Sequence, residues 1–295
     1  MTANIQSLPG KKSDAVWTTA RVVEQQQLAA DTFRLRLHCP DAAARITPGQ
    51  FFMMRPRGGT DPLLGRPFAL YDTAVGAEGR PESIDFVYHV IGKMTSLMSL
   101  WTGGEPVEFW GPLGNGFPVV RCRHLMYVGG GIGYTPVRAV AREALGRGSY
   151  GLPPRSLQQT VERVTLCYGV RTAAQRADLS DLEDINGLTI LIATDDGSEG
   201  HHGLVTDLLH DALHGNDPPN AVFCCGPLPM MQAVGTICQR AAVDCWLSLE
   251  SPMACGFGAC FSCVTRVKTD DPDGWDYRRT CVEGPVFPAT QLVLD

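Results

Sequence analysis

Charge is scarce in this sequence of 295 residues. Charged side chains make up 19% of it, against roughly 25% in an average globular domain. The 25 basic and 31 acidic side chains give a formal net charge of −6, and no basic run is longer than two residues. Because nucleic-acid phosphates are bound by clustered lysines and arginines, this balance argues against a general nucleic-acid binder. The 44% of hydrophobic residues argues against intrinsic disorder.

Long apolar runs are also missing. The longest uncharged stretch, 218–239, contains a Gly-Pro-Leu-Pro segment and several polar residues, so it cannot be one continuous membrane-spanning helix. The first residues lack the apolar core and small-residue cleavage site of a secretory signal. We therefore expect a cytoplasmic protein that binds neither membrane nor nucleic acid.

The sequence has no internal repeats of 20–50 residues and no low-complexity tract. At roughly 100–200 residues per domain, its length predicts two domains and leaves room for a small third module. The pattern of the chain changes twice. We therefore predict a β-barrel domain at 1–120, an α/β domain at 121–248 and a cysteine module at 249–295.

The first part alternates polar residues with aromatic and β-branched ones, which is typical of half-buried strands. Strands are expected at 16–23, 32–37, 50–55, 67–72, 84–90 and 106–110. Glycine and proline pairs separate them, and many short strands joined by turns favour a closed or nearly closed antiparallel barrel. A short helix is expected at 95–101.

The second part alternates apolar strands with helical patterns. Strands are expected at 125–128, 164–168, 188–193 and 221–224, and helices at 136–145, 203–213 and 228–241. Such alternation predicts a parallel sheet with helices on both faces. The stretch 146–159, which contains two adjacent prolines, is expected to be an exposed loop.

Eleven cysteines are present, an odd number that excludes complete intrachain disulfide pairing. In a cytosolic chain, clustered cysteines indicate metal or redox chemistry. Four of them follow the spacing C-x4-C-x2-C with a distant fourth: Cys255, Cys260, Cys263 and Cys281. This is the spacing of plant-type [2Fe–2S] clusters, which need four thiolate ligands.

Glycines within the cysteine motif support the cluster interpretation. Gly256 and Gly258 relieve steric conflict, so that backbone N–H groups can turn toward the sulfurs. The module is too short for a substantial core, and we expect the bound cluster to organise it. One alternative is that the cysteines are unrelated buried thiols. The other is a structural zinc site, but such sites prefer two C-x2-C pairs and this segment has only one.

Two glycine-containing loops follow predicted strands and open predicted helices. In VGGGIGYTP, at 128–136, the backbone can approach a pyrophosphate while the helix N-terminus offers N–H donors. Pro136 stands where the Rossmann fingerprint has its third glycine. In CCGPLPMM, at 224–231, a second junction occurs, and ligands bind at the carboxyl ends of parallel strands. The pair predicts a shared nicotinamide site. The alternatives are an ordinary strand–helix turn and a Gly-Pro helix start with methionine core packing.

Together these motifs resemble a known family. RPFA at 66–69 is similar to the flavin motif of the ferredoxin–NADP reductase superfamily, and the two glycine loops to its nicotinamide half. LESPMAC at 249–255 and RTCVEGPVF at 279–287 narrow the resemblance to the electron-transfer subunits of NAD-dependent dihydroorotate dehydrogenases (PyrK-like, B-type). The resemblance covers about residues 15–290.

The resemblance implies FAD, NAD and one [2Fe–2S] cluster. Arg66 would bind the FAD pyrophosphate, since a guanidinium matches phosphate oxygens bidentately. The family usually has a hydroxyl residue at the position of Ala69 and glycine at that of Met94. The implied FAD contacts are Arg66, Pro67, Phe68, Ala69, Val87, Tyr88, His89, Gly92, Met94 and Thr95. The implied NAD contacts are Gly130, Gly131, Gly133, Thr135, Gly226, Pro227 and Met231.

Simpler interpretations exist for two of these residues. Taken alone, Arg66 could form a surface ion pair, and His89 could be a hydrogen-bonded strand histidine. No role is assigned to Arg171 or Asp195, although Arg171 lies where an adenosine phosphate or ribose could bind.

The implied function is an oxidoreductase subunit in pyrimidine biosynthesis. Electrons would pass from an FMN-containing dihydroorotate dehydrogenase catalytic subunit through the cluster and FAD to NAD+, in a heterotetramer with two copies of each subunit. The sequence shows no acid–base constellation for dihydroorotate, so no catalytic residue is assigned and that chemistry is expected in the partner. The alternatives are the small subunit of a bifurcating NADH-dependent ferredoxin–NADP reductase, an anaerobic sulfite reductase subunit, or a non-catalytic module holding zinc and a nucleotide.

Overall fold

The computed structural model describes residues 15–58 and 61–294. Its first sheet is antiparallel and runs in the order β4-β3-β7-β1-β2-β6-β5. The strands are β1 (Val16–Ala29), β2 (Thr32–His38), β3 (Phe51–Pro56), β4 (Arg66–Ala69), β5 (Asp72–Val75), β6 (Pro81–His89) and β7 (Pro106–Leu113). Two short helices, α1 (Pro40–Ala43) and α2 (Lys93–Met98), lie in the connections. With β4 and β5 at its edges the sheet is a half-barrel, which confirms the nearly closed form of the prediction.

The predicted strand at 67–72 is in fact two strands. The N–H of Leu70 donates to the carbonyl of Gln50, next to β3, whereas the N–H of Tyr71 donates to Asp85 in β6. The chain therefore passes from one edge of the half-barrel to the other between these two residues. Inside the half-barrel, stacked aromatic rings fill the core, with the ring centroids of Phe52 and Phe109 4.7 Å apart.

The second sheet carries the α/β pattern. Its parallel strands are β8 (Cys122–Gly130), β9 (Val161–Val170), β10 (Leu188–Thr194), β11 (His201–His202), β12 (Ala221–Cys225) and β13 (Asp244–Ser248). The helices are α3 (Val137–Ala144), α4 (Ser180–Glu183), α5 (Val205–His214) and α6 (Leu228–Arg240). Along β8, Tyr127 packs into the core beneath α3 and α4, while Met126 and Val128 pack into the core beneath α5 and α6. Helices on both faces confirm the prediction.

The C-terminal part is fastened to both sheets. β14 (Val264–Lys268) and β15 (Trp275–Arg279) form a two-stranded antiparallel ribbon, and β16 (Val286–Pro288) follows. β16 pairs with β13 and completes the second sheet in the order β11-β10-β9-β8-β12-β13-β16. Cys263 comes just before β14 and Cys281 just after β15, and the N–H of Thr280 donates to the carbonyl of Cys263. The fourth cysteine therefore returns beside the third.

The ends of three segments differ from the sequence prediction. Helix α2 begins earlier, at Lys93, because the Thr95 hydroxyl accepts the N–H groups of Ile91 and Gly92 and so fixes the first turn. Helix α3 begins at Val137 and follows a 3₁₀ turn at Gly131–Tyr134. The stretch 146–159 is irregular but not wholly exposed, because Tyr150 is buried.

A buried ion cluster joins the half-barrel to the second sheet. Asp72 of β5 accepts hydrogen bonds from Arg138 Nε (2.8 Å), Arg142 Nη1 (2.5 Å) and the Tyr150 hydroxyl (2.7 Å). Both arginines belong to α3, and the Asp72 side chain is only 6% exposed. The carboxylate therefore holds the two domains at a fixed spacing.

We expect Asp72→Asn to destabilise the protein. Arg142 would lose its counter-charge, and Arg138 would keep only Asp181, 3.7 Å away. This lowers the free energy of unfolding by about 2–4 kcal/mol, since the arginines keep some contact with water. The measurement is the urea midpoint of the complete chain, followed by circular dichroism. Glu78→Gln is the control, because its ion pair with Arg80 is exposed and worth little. Equal shifts for both variants would contradict the expectation.

None of the helices in the described part of the chain is both long and apolar enough to span a membrane.

Candidate functional site

A cavity of about 510 Å³ opens between the half-barrel and the carboxyl ends of β12 and β13. All residues predicted to contact FAD line it, from Arg66–Ala69, from the end of β6 and from the turn before α2. Thr135, predicted as an NAD contact, lines this same cavity. The structure thus brings together side chains that lie far apart in the sequence, although their roles toward a ligand remain predictions.

Arg66 is exposed at the wall of this first cavity. Its Nη1 donates to the carbonyls of Leu64 (3.0 Å) and Gly65 (3.1 Å). Within the described ranges 15–58 and 61–294, no carboxylate pairs with it and its other guanidinium N–H groups have no partner. The geometry therefore favours anion binding over the surface ion pair. His89, by contrast, has a partner in the Thr32 hydroxyl, 3.0 Å from its Nδ1.

The two departures from the family pattern are accommodated differently. The side chain of Met94 is buried in the core of the half-barrel, which explains how the turn tolerates it. Ala69 lies at the end of β4, opposite Phe51, and has no hydroxyl to offer. Ser251, in another part of the cavity wall, carries a hydroxyl group.

Sequence reasoning missed one wall of the first cavity. Cys225, Ser248, Glu250, Ser251 and Met253 all contribute to it, after the ends of β12 and β13. The available signal was their position at the carboxyl ends of parallel strands, where ligands bind.

Two ionisable groups in this wall have shifted pKa values. Burial raises the pKa of the Cys225 thiol to about 12, so the thiol is neutral at pH 7. Glu250 is exposed to solvent over part of its surface. Its carboxyl group is nevertheless desolvated, which raises the pKa of this group above the ordinary value. The wall therefore presents a neutral thiol and a carboxyl group whose pKa is higher than that of an ordinary glutamate.

A second cavity, of about 740 Å³, lies over the carboxyl ends of β8, β9 and β10. Gly130, Gly131 and Pro227 line it, as predicted for NAD contacts. Arg171 and Asp195 supply opposite charges to its wall. His89, Ile91 and Ile132 line both cavities, so ligands in the two cavities could touch at these residues.

Three predicted NAD contacts do not line either cavity. A Cβ on Gly133 would lie 2.2 Å from the carbonyl oxygen of Cys225, so this glycine lets the loop and β12 approach each other. Gly226 has a φ of +156° and packs against Met230. Met231 is buried in the core under α6, and its neighbour Met230 lines the second cavity instead.

The four clustered cysteines form two pairs. The thiol of Cys260 interacts with that of Cys255, and the thiol of Cys263 interacts with that of Cys281. Hydrogen bonds from Ser262 lower the pKa of Cys260 to about 6, which favours the thiolate form. No three His, Cys, Asp or Glu side chains in the described part of the chain are grouped to hold a single metal ion. Two pairs of donors fit a two-iron cluster better than one tetrahedral zinc.

The loop between these cysteines requires its glycines. Gly256 and Gly258 have φ values of +78° and +89°, which L side chains rarely adopt. A Cβ would lie 2.4 Å from Met53 at the first position and 2.7 Å from Val282 at the second. Both positions therefore exclude larger residues, as the sequence suggested.

The cysteine loop packs against the half-barrel. The indole N–H of Trp110 donates to the carbonyl of Cys255 (2.8 Å). Cys263 and Cys281 pack with Met53 and Trp110 in one apolar cluster. Phe51 and Met253 belong to this apolar packing and also line the first cavity, so these two side chains lie between the two sites.

Three buried hydroxyl groups lack a hydrogen-bond partner among the described residues: those of Ser251, Tyr134 and Thr280. Ser251 lines the first cavity and Tyr134 lines the second, while Thr280 directly precedes Cys281. Leaving a buried hydroxyl unpaired costs about 1–3 kcal/mol. One orphaned donor at each site therefore fits a bound flavin, a bound nucleotide and a bound cluster.

Comparison with known proteins agrees with this geometry. Residues 250–293 match the family described as the iron-sulfur cluster binding domain of dihydroorotate dehydrogenase B. Residues 127–236 match the oxidoreductase NAD-binding domain. The matched segments contain the cysteine motif and both glycine loops, respectively.

Curated relatives match along nearly the whole chain. The protein of Caldanaerobacter subterraneus subsp. tengcongensis is 31% identical over 276 residues, covering 93% of this chain and 98% of the relative. That of Geobacillus sp. is 33% identical over 276 residues, covering 92% and 97%. Both are described as the electron transfer subunit of dihydroorotate dehydrogenase B (NAD(+)).

Solved structures show the same fold. The NADH-dependent reduced ferredoxin-NADP oxidoreductase structure matches with a TM-score of 0.76 and 26% identity, over 94% of this chain and 90% of that one. The ferredoxin reductase of carbazole 1,9a-dioxygenase matches with a TM-score of 0.62 and 22% identity, over 78% and 67%. Given the identity and coverage of the curated relatives, the chain belongs to the family of dihydroorotate dehydrogenase B electron transfer subunits.

Proposed function

We propose that this chain carries electrons from an FMN-containing catalytic subunit, which oxidises dihydroorotate, to NAD+. The supporting observation is the order of its three sites. The cysteine pairs adjoin the first cavity through Met253, and the first cavity adjoins the second through His89, Ile91 and Ile132. A cluster, a flavin and a nicotinamide placed in these sites would form one continuous series.

The residues of the first cavity would hold FAD, which exchanges electrons singly with a cluster and in pairs with a nicotinamide. Arg66 would bind its pyrophosphate through the free N–H groups of the guanidinium. The Ser251 hydroxyl would donate to the flavin, a task that Ala69 cannot perform. Cys225, as a neutral and buried thiol, would exclude water from one wall of this cavity.

The residues of the second cavity would hold NAD. Gly130, Gly131 and Pro227 would let the backbone approach the dinucleotide, and the unpaired Tyr134 hydroxyl would hydrogen-bond to it. One iron would be bound by the thiols of Cys255 and Cys260. The other iron would be bound by the thiols of Cys263 and Cys281. We propose that the three domains span 1–120, 121–248 and 249–295. We also propose a cytoplasmic location, because thiol ligands stay reduced there.

The catalytic subunit would dock over the cysteine loop. Phe257 and Phe261 are 56% and 62% exposed there, beside the exposed Cys260. Exposed aromatic side chains mark protein interfaces, and an electron donor must come close to the cluster. We propose a heterotetramer with two copies of each subunit.

The isolated chain should reduce an artificial acceptor with NADH but should not oxidise dihydroorotate. Both cavities are complete within the chain, whereas dihydroorotate oxidation is assigned to the partner. The measurement compares ferricyanide reduction by NADH with dihydroorotate turnover, using anaerobically purified protein with and without the FMN-containing subunit. Dihydroorotate turnover by the single chain would overturn this division of labour.

The structural match to the NADH-dependent ferredoxin-NADP oxidoreductase supports a second candidate, a subunit of an enzyme of that type. The subunit that co-purifies from native cells decides between the two. An FMN-containing partner that oxidises dihydroorotate supports the first proposal, and one that reduces NADP+ supports the second.

A further inference from the structure

Arg279 forms a two-point contact with Glu283, one turn further along the chain. Its Nη2 donates to Glu283 Oε1 (2.9 Å), and its backbone N–H donates to Oε2 (2.8 Å). The turn closed by this contact contains Cys281. Both side chains are partly buried, at 23% and 30% exposure. The ion pair therefore fixes the segment that returns the fourth cysteine.

The same guanidinium also reaches the cysteine loop. Its Nη1 donates to the carbonyl oxygen of Gly258 (3.2 Å), and its Cζ lies 5.1 Å from the centre of the Phe261 ring. Gly258 and Phe261 both have positive φ values, and for a bulky residue such as Phe261 this conformation is strained. Arg279 therefore stabilises a loop that would not hold its shape by local preference.

The positive charge of Arg279 lies beside the cysteines. Arg279 stands two residues before Cys281 in the chain. Its guanidinium donates to Gly258, which lies between Cys255 and Cys260 in the cysteine loop, and Glu283 in turn binds the guanidinium. Reduction of a cluster adds one negative charge, which a nearby cation stabilises. Removing that cation disfavours the reduced form.

We propose that Arg279 is a positioning residue that ties the cysteine loop to the return strand β15, and that its charge raises the reduction potential of the cluster. This inference rests on the proposed function, which places a [2Fe–2S] cluster between these cysteines.

The experiment is a redox titration of the cluster in the complete chain, followed by electron paramagnetic resonance under anaerobic conditions. Arg279→Gln should shift the midpoint potential to a more negative value. Arg279→Lys keeps the charge and should stay close to the wild type, but it loses the planar contact with Glu283 and Gly258. Its cluster should therefore be lost faster to an iron chelator. Arg278→Gln is the matched control, since this neighbour on β15 pairs with Asp276 and should leave the potential unchanged.

Two further variants separate charge from shape. Glu283→Gln leaves Arg279 without its counter-charge and should shift the potential to a more positive value. The double variant Arg279→Gln/Glu283→Gln should lie between the two single variants, because it removes both charges. If Arg279→Gln cannot hold a cluster, Arg279→Lys and Glu283→Gln still give the predicted contrast.

Unchanged potentials in Arg279→Gln and Glu283→Gln would overturn the inference, and so would equal shifts in Arg279→Gln and Arg279→Lys. A wild-type chain that holds zinc and no iron or labile sulfide would instead overturn the proposed function. The two failures are therefore distinguishable.

Discussion

Replacing Cys281 with alanine should remove the iron–sulfur cluster and leave the flavin in place. The cluster needs four thiolates, and Cys281 is the partner of Cys263 in the second thiol pair. The residues of the first cavity belong largely to the half-barrel, which has its own core, so FAD should stay bound and NADH should still reduce it. Electron transfer from the catalytic subunit to NAD+ should fall by more than about 100-fold. Loss of a residue that only orients a metal ligand lowers metal affinity or activity by roughly 10–100-fold, and Cys281 is itself a proposed ligand.

Iron, sulfide and flavin content, together with the visible spectrum, measure this outcome. Cys245→Ala is the control, because Cys245 is also a buried thiol but lies in the core between α6 and the second sheet. That variant should keep the cluster at some loss of packing. A normal cluster spectrum with full coupled activity in Cys281→Ala would show that Cys281 is not a ligand.

Replacing Arg66 with alanine should weaken FAD binding by about 10–100-fold. A hydrogen bond to a charged group contributes about 1.5–3 kcal/mol, and each 1.4 kcal/mol corresponds to a factor of ten. The guanidinium has free N–H groups at the cavity wall, and its replacement leaves no unpaired carboxylate among the described residues. Fluorescence titration of the deflavinated protein with FAD gives the dissociation constant, and cluster content should stay at the wild-type level.

Arg80→Ala is the matched control for this variant. Arg80 belongs to the same half-barrel, but it pairs with Glu78 on the surface and lines neither cavity. Its loss should leave the FAD dissociation constant unchanged. Equal affinities in Arg66→Ala and the wild type would remove Arg66 from the FAD site.

The parts of the structure that depend on local chemistry could be predicted from the sequence. The spacing of Cys255, Cys260 and Cys263 reflects how a short loop can wrap a cluster, and the need for Gly256 and Gly258 follows from their backbone angles. Alternation of strands and helices similarly predicts the parallel sheet, because parallel strands are joined by crossover helices that cover both faces of the sheet.

The remaining features depend on tertiary packing. Whether Met230 or Met231 faces the second cavity depends on the rotation of α6 against the sheet, which the run of apolar residues does not settle. The step of the chain between Leu70 and Tyr71 depends on partners in β3 and β6. Glu250 and Ser251 enter the first cavity only because β13 ends beside the half-barrel. No local sequence pattern predicts these three features.

The cysteine module has an anchor at each end, since Trp110 of β7 holds Cys255 and β16 pairs with β13. A module held in this way cannot swing between a donor and an acceptor, so the gap that electrons must cross inside the chain is constant. Electron transfer within the chain then does not require the cysteine module to move or to reorient. Under the proposed function, the rate of electron flow would be controlled at the two ends of the series, where NAD would exchange with solvent and where the catalytic subunit would approach the exposed loop.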